Sequence, residues 1–232
     1  MNIIITGASK GIGKAIAEKF AVDGNTLMLC ARNLVALEET AYTLQQKYPQ
    51  SAIHYKATDL SDYEAVTAFG SWCLDKGTPD ILVNNSGQYK PGFVLTEPEG
   101  TLMDLLQNNL FSAYYLTRLI APTMIAAKRG HIFNMCSIAS IQAYANGGAY
   151  SISKFALLGF SKNLREELKP HQVKVTAVIP GAVYTESWLG SGIDPLRIME
   201  ADDMANLIYA TAHLSPQACV EDIIIRPQLG DL

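Results

Sequence analysis

The sequence predicts an α/β fold, a doubly wound parallel sheet of about seven strands with helices on both faces, and three observations carry that expectation. Short β-branched or apolar runs alternate with longer segments of helical period along the whole chain. The short runs are almost continuously apolar, as strands covered on both faces must be. The first run opens into a glycine-rich turn that leads straight into a helical pattern, the beginning of a strand-helix-strand unit.

In chain order the expected strands are 3–6 (IIIT), 26–31 (TLMLCA), 52–58 (AIHYKAT), 81–86 (ILVNNS), 130–137 (GHIFNMCS), 174–180 (KVTAVIP) and 222–227 (DIIIRP). Helices are expected between them near 11–23, 33–48, 61–76, 99–128, 150–169 and 202–213. No linker, composition shift or internal repeat divides the chain, so residues 1–232 read as one domain. The stretch 182–201 (AVYTESWLGSGIDPLRIMEA) mixes Gly, Ser and Pro with Trp188, Leu189 and Ile193. A loop of that length on a compact domain is usually functional, and a substrate lid is expected here.

With 232 residues, 49% of them hydrophobic and 17% charged, the chain can bury a sizeable core. The net charge of −4 and the scattered Lys and Arg give no footprint for nucleic acid or a membrane surface. No leader-like segment opens the sequence, and no apolar stretch reaches the ~20 residues that cross a bilayer. Cys30, Cys73, Cys136 and Cys219 match no metal-ligand spacing and read as reduced thiols, so a cytoplasmic location and no bound metal are expected.

The chemistry begins in the first turn. Strand 3–6 runs into TGASKGIG, with Gly7, Gly11 and Gly13, and then into the helical pattern KAIAEKFAV. A strand, a glycine turn and a helix N-terminus together form an anion site, because unpaired N–H groups and the helix dipole face the ligand. Glycines there let a pyrophosphate approach the backbone, which points to a dinucleotide. The end of the second strand decides which one. An acid at that point binds the ribose 2′-OH of NAD, whereas an Arg accommodates the 2′-phosphate of NADP. Here the strand ends in Ala31-Arg32, and Lys10 adds a second cation from within the loop. Both favour NADP(H) over NAD(H).

A second pair stands two-thirds along, in AYSISKFALLGF (149–160). Tyr150 and Lys154 are four residues apart, one turn of a helix, so phenol and ammonium can address the same point. Tyrosine titrates near ~10, and acid-base work near neutrality asks for a shift of roughly three units, about 4 kcal/mol. A cation about 4 Å away at an effective dielectric near 20 supplies that much.

Taken together, these motifs resemble those of the short-chain dehydrogenase/reductase family over essentially the whole chain. They fall in order: Thr6-Gly7-Ala8-Ser9-Lys10-Gly11-Ile12-Gly13, Asp59-Leu60, Asn84-Asn85-Ser86-Gly87, Asn109, Ser137, Tyr150 with Lys154, and Pro180-Gly181 with Thr185. Two departures are small: Ser86 stands where the family usually has Ala, and Cys136 stands beside Ser137 where another Ser is common.

The resemblance implies a single-domain Rossmann fold and a hydride transfer between a nicotinamide and a carbonyl or secondary alcohol. In that scheme Tyr150 is the general acid/base, Ser137 steadies the substrate oxygen, Lys154 aids Tyr150 and binds ribose, and Asn109 holds a water of a proton relay. Asn109 is preferred to Asn108 because the family pattern is Asn followed by a hydrophobe, here Leu110. Gly7, Ser9, Lys10, Gly11, Ile12, Gly13 and Arg32 would hold the cofactor's phosphates, and Asp59 and Leu60 would flank the adenine. Asn85, Ser86 and Gly87 would lie along the ribose, and Pro180, Gly181, Val183 and Thr185 beside the nicotinamide. The expected substrate is a small carbonyl or alcohol, with Tyr89, Phe93, Tyr144, Tyr184, Trp188, Leu189 and Ile193 near the site. An NAD-dependent hydroxysteroid or polyol dehydrogenase and a cofactor-binding scaffold without chemistry are the alternatives. Relatives of this kind assemble as homotetramers or homodimers through helices corresponding to 99–128 and 150–169.

Overall fold

The computed structural model describes residues 1–232, the side chain of Ser187 excepted. Seven strands form one parallel sheet in the order β3-β2-β1-β4-β5-β6-β7. They are β1 (Asn2–Thr6), β2 (Thr26–Ala31), β3 (Ala52–Ala57), β4 (Ile81–Asn84), β5 (His131–Met135), β6 (Lys174–Pro180) and β7 (Asp222–Ile225). The helices are α1 (Gly11–Ala21), α2 (Leu34–Lys47), α3 (Tyr63–Leu74), α4 (Thr101–Leu106), α5 (Ser112–Ala127), α6 (Gly148–Leu168) and α7 (Ala201–Ala212).

Successive strand side chains point to opposite faces, and β1 divides its isoleucines accordingly. Ile3 and Ile5 pack with Leu27, Leu29, Val83 and Phe133 beneath α1, α2 and α7. Ile4 packs with Met28, Leu82, Ile132 and Val175 beneath α3, α5 and α6. All three isoleucines are wholly buried, which is why the strands read as unbroken apolar runs.

The winding reverses between β1 and β4, and ligands of such sheets bind outside the strands' carboxyl ends at this point. Thr6 stitches the two strand ends together. Its hydroxyl donates to the Val83 carbonyl at 3.3 Å and accepts from the N–H groups of Asn85 and Ser86, each at 2.9 Å. Those bonds divert the chain from the ladder, so β4 ends at Asn84, two residues before the expected end.

β5 and β7 likewise end two residues before the expected ends, at Met135 and Ile225, and two helices differ from expectation. The helix expected over 99–128 is divided: residues Gln107–Phe111 form a π-turn between α4 and α5. The helix expected from 150 begins at Gly148, so Tyr150 lies in its first turn rather than at its start. The segment 182–201 holds two 3₁₀ turns, Glu186–Trp188 and Pro195–Arg197. A parallel bridge between Val183 and Met199 closes its base. The Arg197 guanidinium fastens it to the C-terminal residues by donating to the carbonyls of Gly230 (3.1 Å), Asp231 (3.2 Å) and Leu229 (3.4 Å).

Candidate functional site

At the carboxyl end of β1 the chain turns through Gly7 and Gly11, both at positive φ, into α1. Lys10, the residue before α1, makes no side-chain cap bond, which leaves first-turn N–H groups for a ligand. Gly13 admits no side chain, since a Cβ there would come within 2.2 Å of the Gly7 carbonyl oxygen. The Thr40 hydroxyl donates to the Ser9 carbonyl at 3.0 Å and fixes the outer side of the turn. Bare N–H groups over a glycine floor suit a pyrophosphate, so the residues present fit a dinucleotide.

Arg32 follows β2 directly and is exposed. With the Gln88 amide oxygen turned toward it, that oxygen accepts from both terminal nitrogens of Arg32, at 2.5 and 3.0 Å. Asp59 lies close enough for Arg32 to help hold its carboxyl below the usual range, though hydrogen bonding from the Ser61 N–H lowers it more. Asp59 is exposed, whereas Leu60 is 6% exposed and packs in the core beneath α3. Ile12 packs against the other core.

At the other end of the crevice Ser137, Tyr150 and Lys154 converge. β5 stops at Met135, and Ser137 caps a short 3₁₀ turn (Ile138–Ser140), its hydroxyl oxygen accepting from the Ala139 N–H at 3.2 Å. The hydroxyl proton is thereby free to be given. Burial raises the Tyr150 phenol above its ordinary value, and a hydrogen bond with Ser137 opposes that rise. Lys154 is 6% exposed, donates to the Met135 carbonyl at 2.7 Å and stands 6.0 Å from the centre of the Tyr150 ring. Burial brings its ammonium down to about 8. Without a ligand, then, the pair is drawn toward neutral forms. Burial, the first cause, moves the phenol in the direction opposite to the lowering expected from the sequence.

Asn109 sits at the middle of the π-turn, wholly within the protein at 1% exposure. Its Oδ1 accepts from the Gln88 N–H at 2.7 Å, and its Nδ2 donates to the Gln88 carbonyl at 3.0 Å and to Ser153 Oγ at 2.9 Å. Both N–H groups are spent on the protein, so the side chain clamps the loop after β4 to α6. Gly87 lies between Asn109 and Lys154; a Cβ there would stand 3.1 Å from Asn109 Oδ1 and 3.6 Å from Lys154 Nζ.

Of the aromatic residues singled out in the sequence, Tyr89 meets Tyr150 edge-to-face with ring centres 4.9 Å apart. Tyr144 joins them through a hydrogen bond with Tyr89, and its own phenol is pushed well up, first by burial. Tyr184 and Leu189 lie elsewhere, in a cleft of about 330 Å³ with Gly11, Thr185 and Glu186, at the phosphate end of the crevice. Phe93 is exposed. Val183 is 6% exposed and packs in the core with Met199, so only its backbone is offered to a ligand. Pro180 ends β6 and Gly181 follows, its N–H donating to the Ile225 carbonyl at 2.8 Å. A cavity of about 690 Å³ lies at the opposite edge of the sheet, where Lys128, Arg129 and Lys174 stand by the C-termini of α5 and α7. Cations there complement the helix dipoles, and the convergence of candidate residues is on the other edge.

The family model described as short chain dehydrogenase matches residues 1–191. The chain belongs to the short-chain dehydrogenase family. Within it, sepiapterin reductase of Chlorobaculum tepidum is 31% identical, over 99% of this chain and 97% of that protein. A metagenomic short-chain oxidoreductase solved with NADP is 34% identical, with a TM-score of 0.85 over 98% of this chain and 97% of that one. L-Sorbose reductase from Gluconobacter frateurii, solved with NADPH and L-sorbose, is 26% identical, with a TM-score of 0.88 over 96% and 94%. As a short-chain dehydrogenase this protein is an oxidoreductase. Three residues of its site escaped the sequence reading: Gln88, Ser153 and Thr40. Gln88 follows the Asn85-Ser86-Gly87 motif directly, the one signal that pointed to it.

Proposed function

We propose that the protein is an NADP(H)-dependent carbonyl reductase, reversible as an alcohol dehydrogenase. The observation that carries this is the meeting of Ser137, Tyr150 and Lys154 beside Gly87, at the carboxyl edge of the sheet and beyond the glycine turn. A bound nicotinamide supplies or takes the hydride. Reduction leaves negative charge on the former carbonyl oxygen, and an acid and a donor must meet it. Tyr150, kept protonated by burial, gives that oxygen its proton. Ser137 donates a hydrogen bond to the same oxygen, and Lys154 stabilises the phenolate left behind.

Arg32 and Lys10 hold the 2′-phosphate, the turn from Gly7 to Gly13 receives the pyrophosphate, and Asp59, Leu60, Asn85, Ser86 and Gly87 border the adenosine. Pro180, Gly181 and Val183 border the nicotinamide, Thr185, expected there from the sequence, stands beside Gly11 at the phosphate end, and 182–201 closes over the cofactor as a lid. The neighbours solved with NADP and NADPH support this choice of cofactor. The Tyr89–Tyr150 edge contact favours a flat, ring-bearing carbonyl, in keeping with the sepiapterin reductase relative. A cytoplasmic homotetramer or homodimer is the state proposed; among the described residues no helix is long and apolar enough to cross a membrane.

The test is NADPH oxidation across a panel of pterin diketones, ketoses, aryl ketones and 3-oxoacyl thioesters, with Tyr150→Phe as control. Turnover of a ring-bearing carbonyl, lost by roughly 10²–10⁴-fold in Tyr150→Phe, is expected. No turnover of any member, or full activity in Tyr150→Phe, would count against the proposal.

A further inference from the structure

We infer that Glu97 is a positioning residue for the helix that carries Tyr150; this rests on the reading of Tyr150 as the proton donor. The first N–H groups of a helix have no partner within it. α6 has Gly147 before its first residue, a residue with no side chain to accept from them. The acceptor comes instead from another loop: the Ala149 N–H donates to Glu97 Oε2 at 3.1 Å, across 52 residues of sequence.

The same two loops are joined a second time, by the Gly92 N–H donating to the Asn146 carbonyl at 3.0 Å. They fit closely around Gly148, which turns at φ +38; a Cβ there would come within 2.5 Å of the Gly92 oxygen and 2.7 Å of Glu97 Oε2. A carboxylate at this end of the helix also meets the positive end of its dipole. Glu97 therefore fastens the loop after β4 to α6 one residue before Tyr150. That loop carries Tyr89, whose ring edge touches Tyr150. One side chain thus sets the seat of the proton donor and the wall beside it.

The experiment uses the full chain with NADPH and the best carbonyl of the panel. Losing a helix cap of this kind is expected to lower kcat roughly tenfold in Glu97→Ala. The Kd for NADPH stays near the wild-type value, because the cofactor-facing residues of these two elements are held by other bonds, the loop after β4 by Asn109 and Lys154 by the Met135 carbonyl. Glu97→Gln, which keeps an acceptor oxygen at the same reach, retains most of kcat. A wild-type kcat in Glu97→Ala overturns the inference, and so does a Glu97→Gln variant as impaired as Glu97→Ala. If Glu97→Ala does not fold, Glu97→Asp makes the same test, since it keeps the charge but withdraws the acceptor by one methylene. A wild-type kcat there overturns the inference. Tyr150→Phe runs alongside: its activity, if undiminished, removes the underlying reading, whereas its inactivity leaves Glu97 to be judged on its own variants.

Discussion

Asn109 and Ser153 are joined across two helices by a hydrogen bond of 2.9 Å, and Ser153 passes it on to the Tyr150 carbonyl at 2.7 Å. Both side chains are buried, at 1% and 0% exposure. The π-turn makes this contact: π-turns occur as single-turn insertions in helices, often at functional sites. From the other side Asn109 grips the backbone of Gln88, so one amide holds the loop after β4, the long helix pair and the segment of Tyr150 in register. Asn109→Ala leaves the Gln88 N–H and carbonyl without a partner and takes from Ser153 Oγ the one donor it accepts from, while Ser153 keeps its bond to the Tyr150 carbonyl; the cost is about 1–3 kcal/mol for each group left unpaired and buried. The expected outcome is a fall of several degrees in Tm together with a loss of kcat. Thermal melts and steady-state kinetics on the same preparation check it; an unchanged Tm would refute it.

The buried ammonium of Lys154 gives a pH dependence with a definite sign. Its folded value is about 8 against an ordinary 10.5, with burial the first cause. The folded chain thus binds fewer protons at this group than the unfolded chain between those values. The cost to stability is fully present below about pH 8 and disappears above the unfolded value, so this group makes the protein more stable as pH rises through that window. Lys154→Met is expected to raise Tm by about 2–4 °C near neutrality while abolishing turnover. The gain should fade above the ordinary lysine value. In the proposed mechanism reduction needs the charged ammonium, so kcat/KM is expected to fall above about pH 8. A flat alkaline profile would contradict that assignment.

Arg32 gives a cofactor test. Hydrogen bonds to charged groups contribute about 1.5–3 kcal/mol, so Arg32→Ala should weaken NADPH binding by roughly 10–100-fold and leave NADH within a factor of about two. Titration of nicotinamide fluorescence with both cofactors measures this. Equal losses for the two would show that Arg32 does not read the 2′-phosphate. Gln88, which accepts from the free guanidinium, competes with the phosphate for the same donors.

What could be read from the sequence followed locality. β1 is legible because Ile3, Ile4 and Ile5 are each buried, whichever face they take. Tyr150 and Lys154 are legible because a helix makes four residues one turn. The division of 99–128 was hidden, because QNNLF continues the helical period and only the pull of Asn109 toward Gln88 and Ser153 opens the π-turn. The cap of α6 was hidden for the same reason: Gly147 and Gly148 look like a helix breaker until Glu97 arrives from another loop. Leu60 and Val183 sat in motifs that point to a ligand, yet their side chains fill the two cores, so the motif marks backbone there.

His131 links the fold to acid. It begins β5, 4% exposed, with its ring stacked on Phe133 at 3.9 Å between centres. The Thr176 hydroxyl donates to the Val220 carbonyl at 2.6 Å, so its oxygen must accept from His131 Nε2, 2.7 Å away. That fixes the tautomer: Nε2 carries the proton, and Nδ1 is bare and has no partner. Charging the ring would place an N–H at Nδ1 in the core with nothing to receive it. Burial first, and the Lys174 charge second, accordingly lower its value from 6.5 to about 3. The unfolded chain binds the proton first as pH falls, so stability is lost progressively from about 6.5 downward, by roughly 2 kcal/mol by pH 5. The surface carboxylates whose values are lowered, Glu18 and Asp59 among them, act below the ordinary carboxylate range and leave this window clear. His131→Gln, which can still donate to Thr176, is expected to flatten the dependence of urea-unfolding free energy on pH between about 6.5 and 5. A slope in that window as steep as the wild type's would show that another group titrates there.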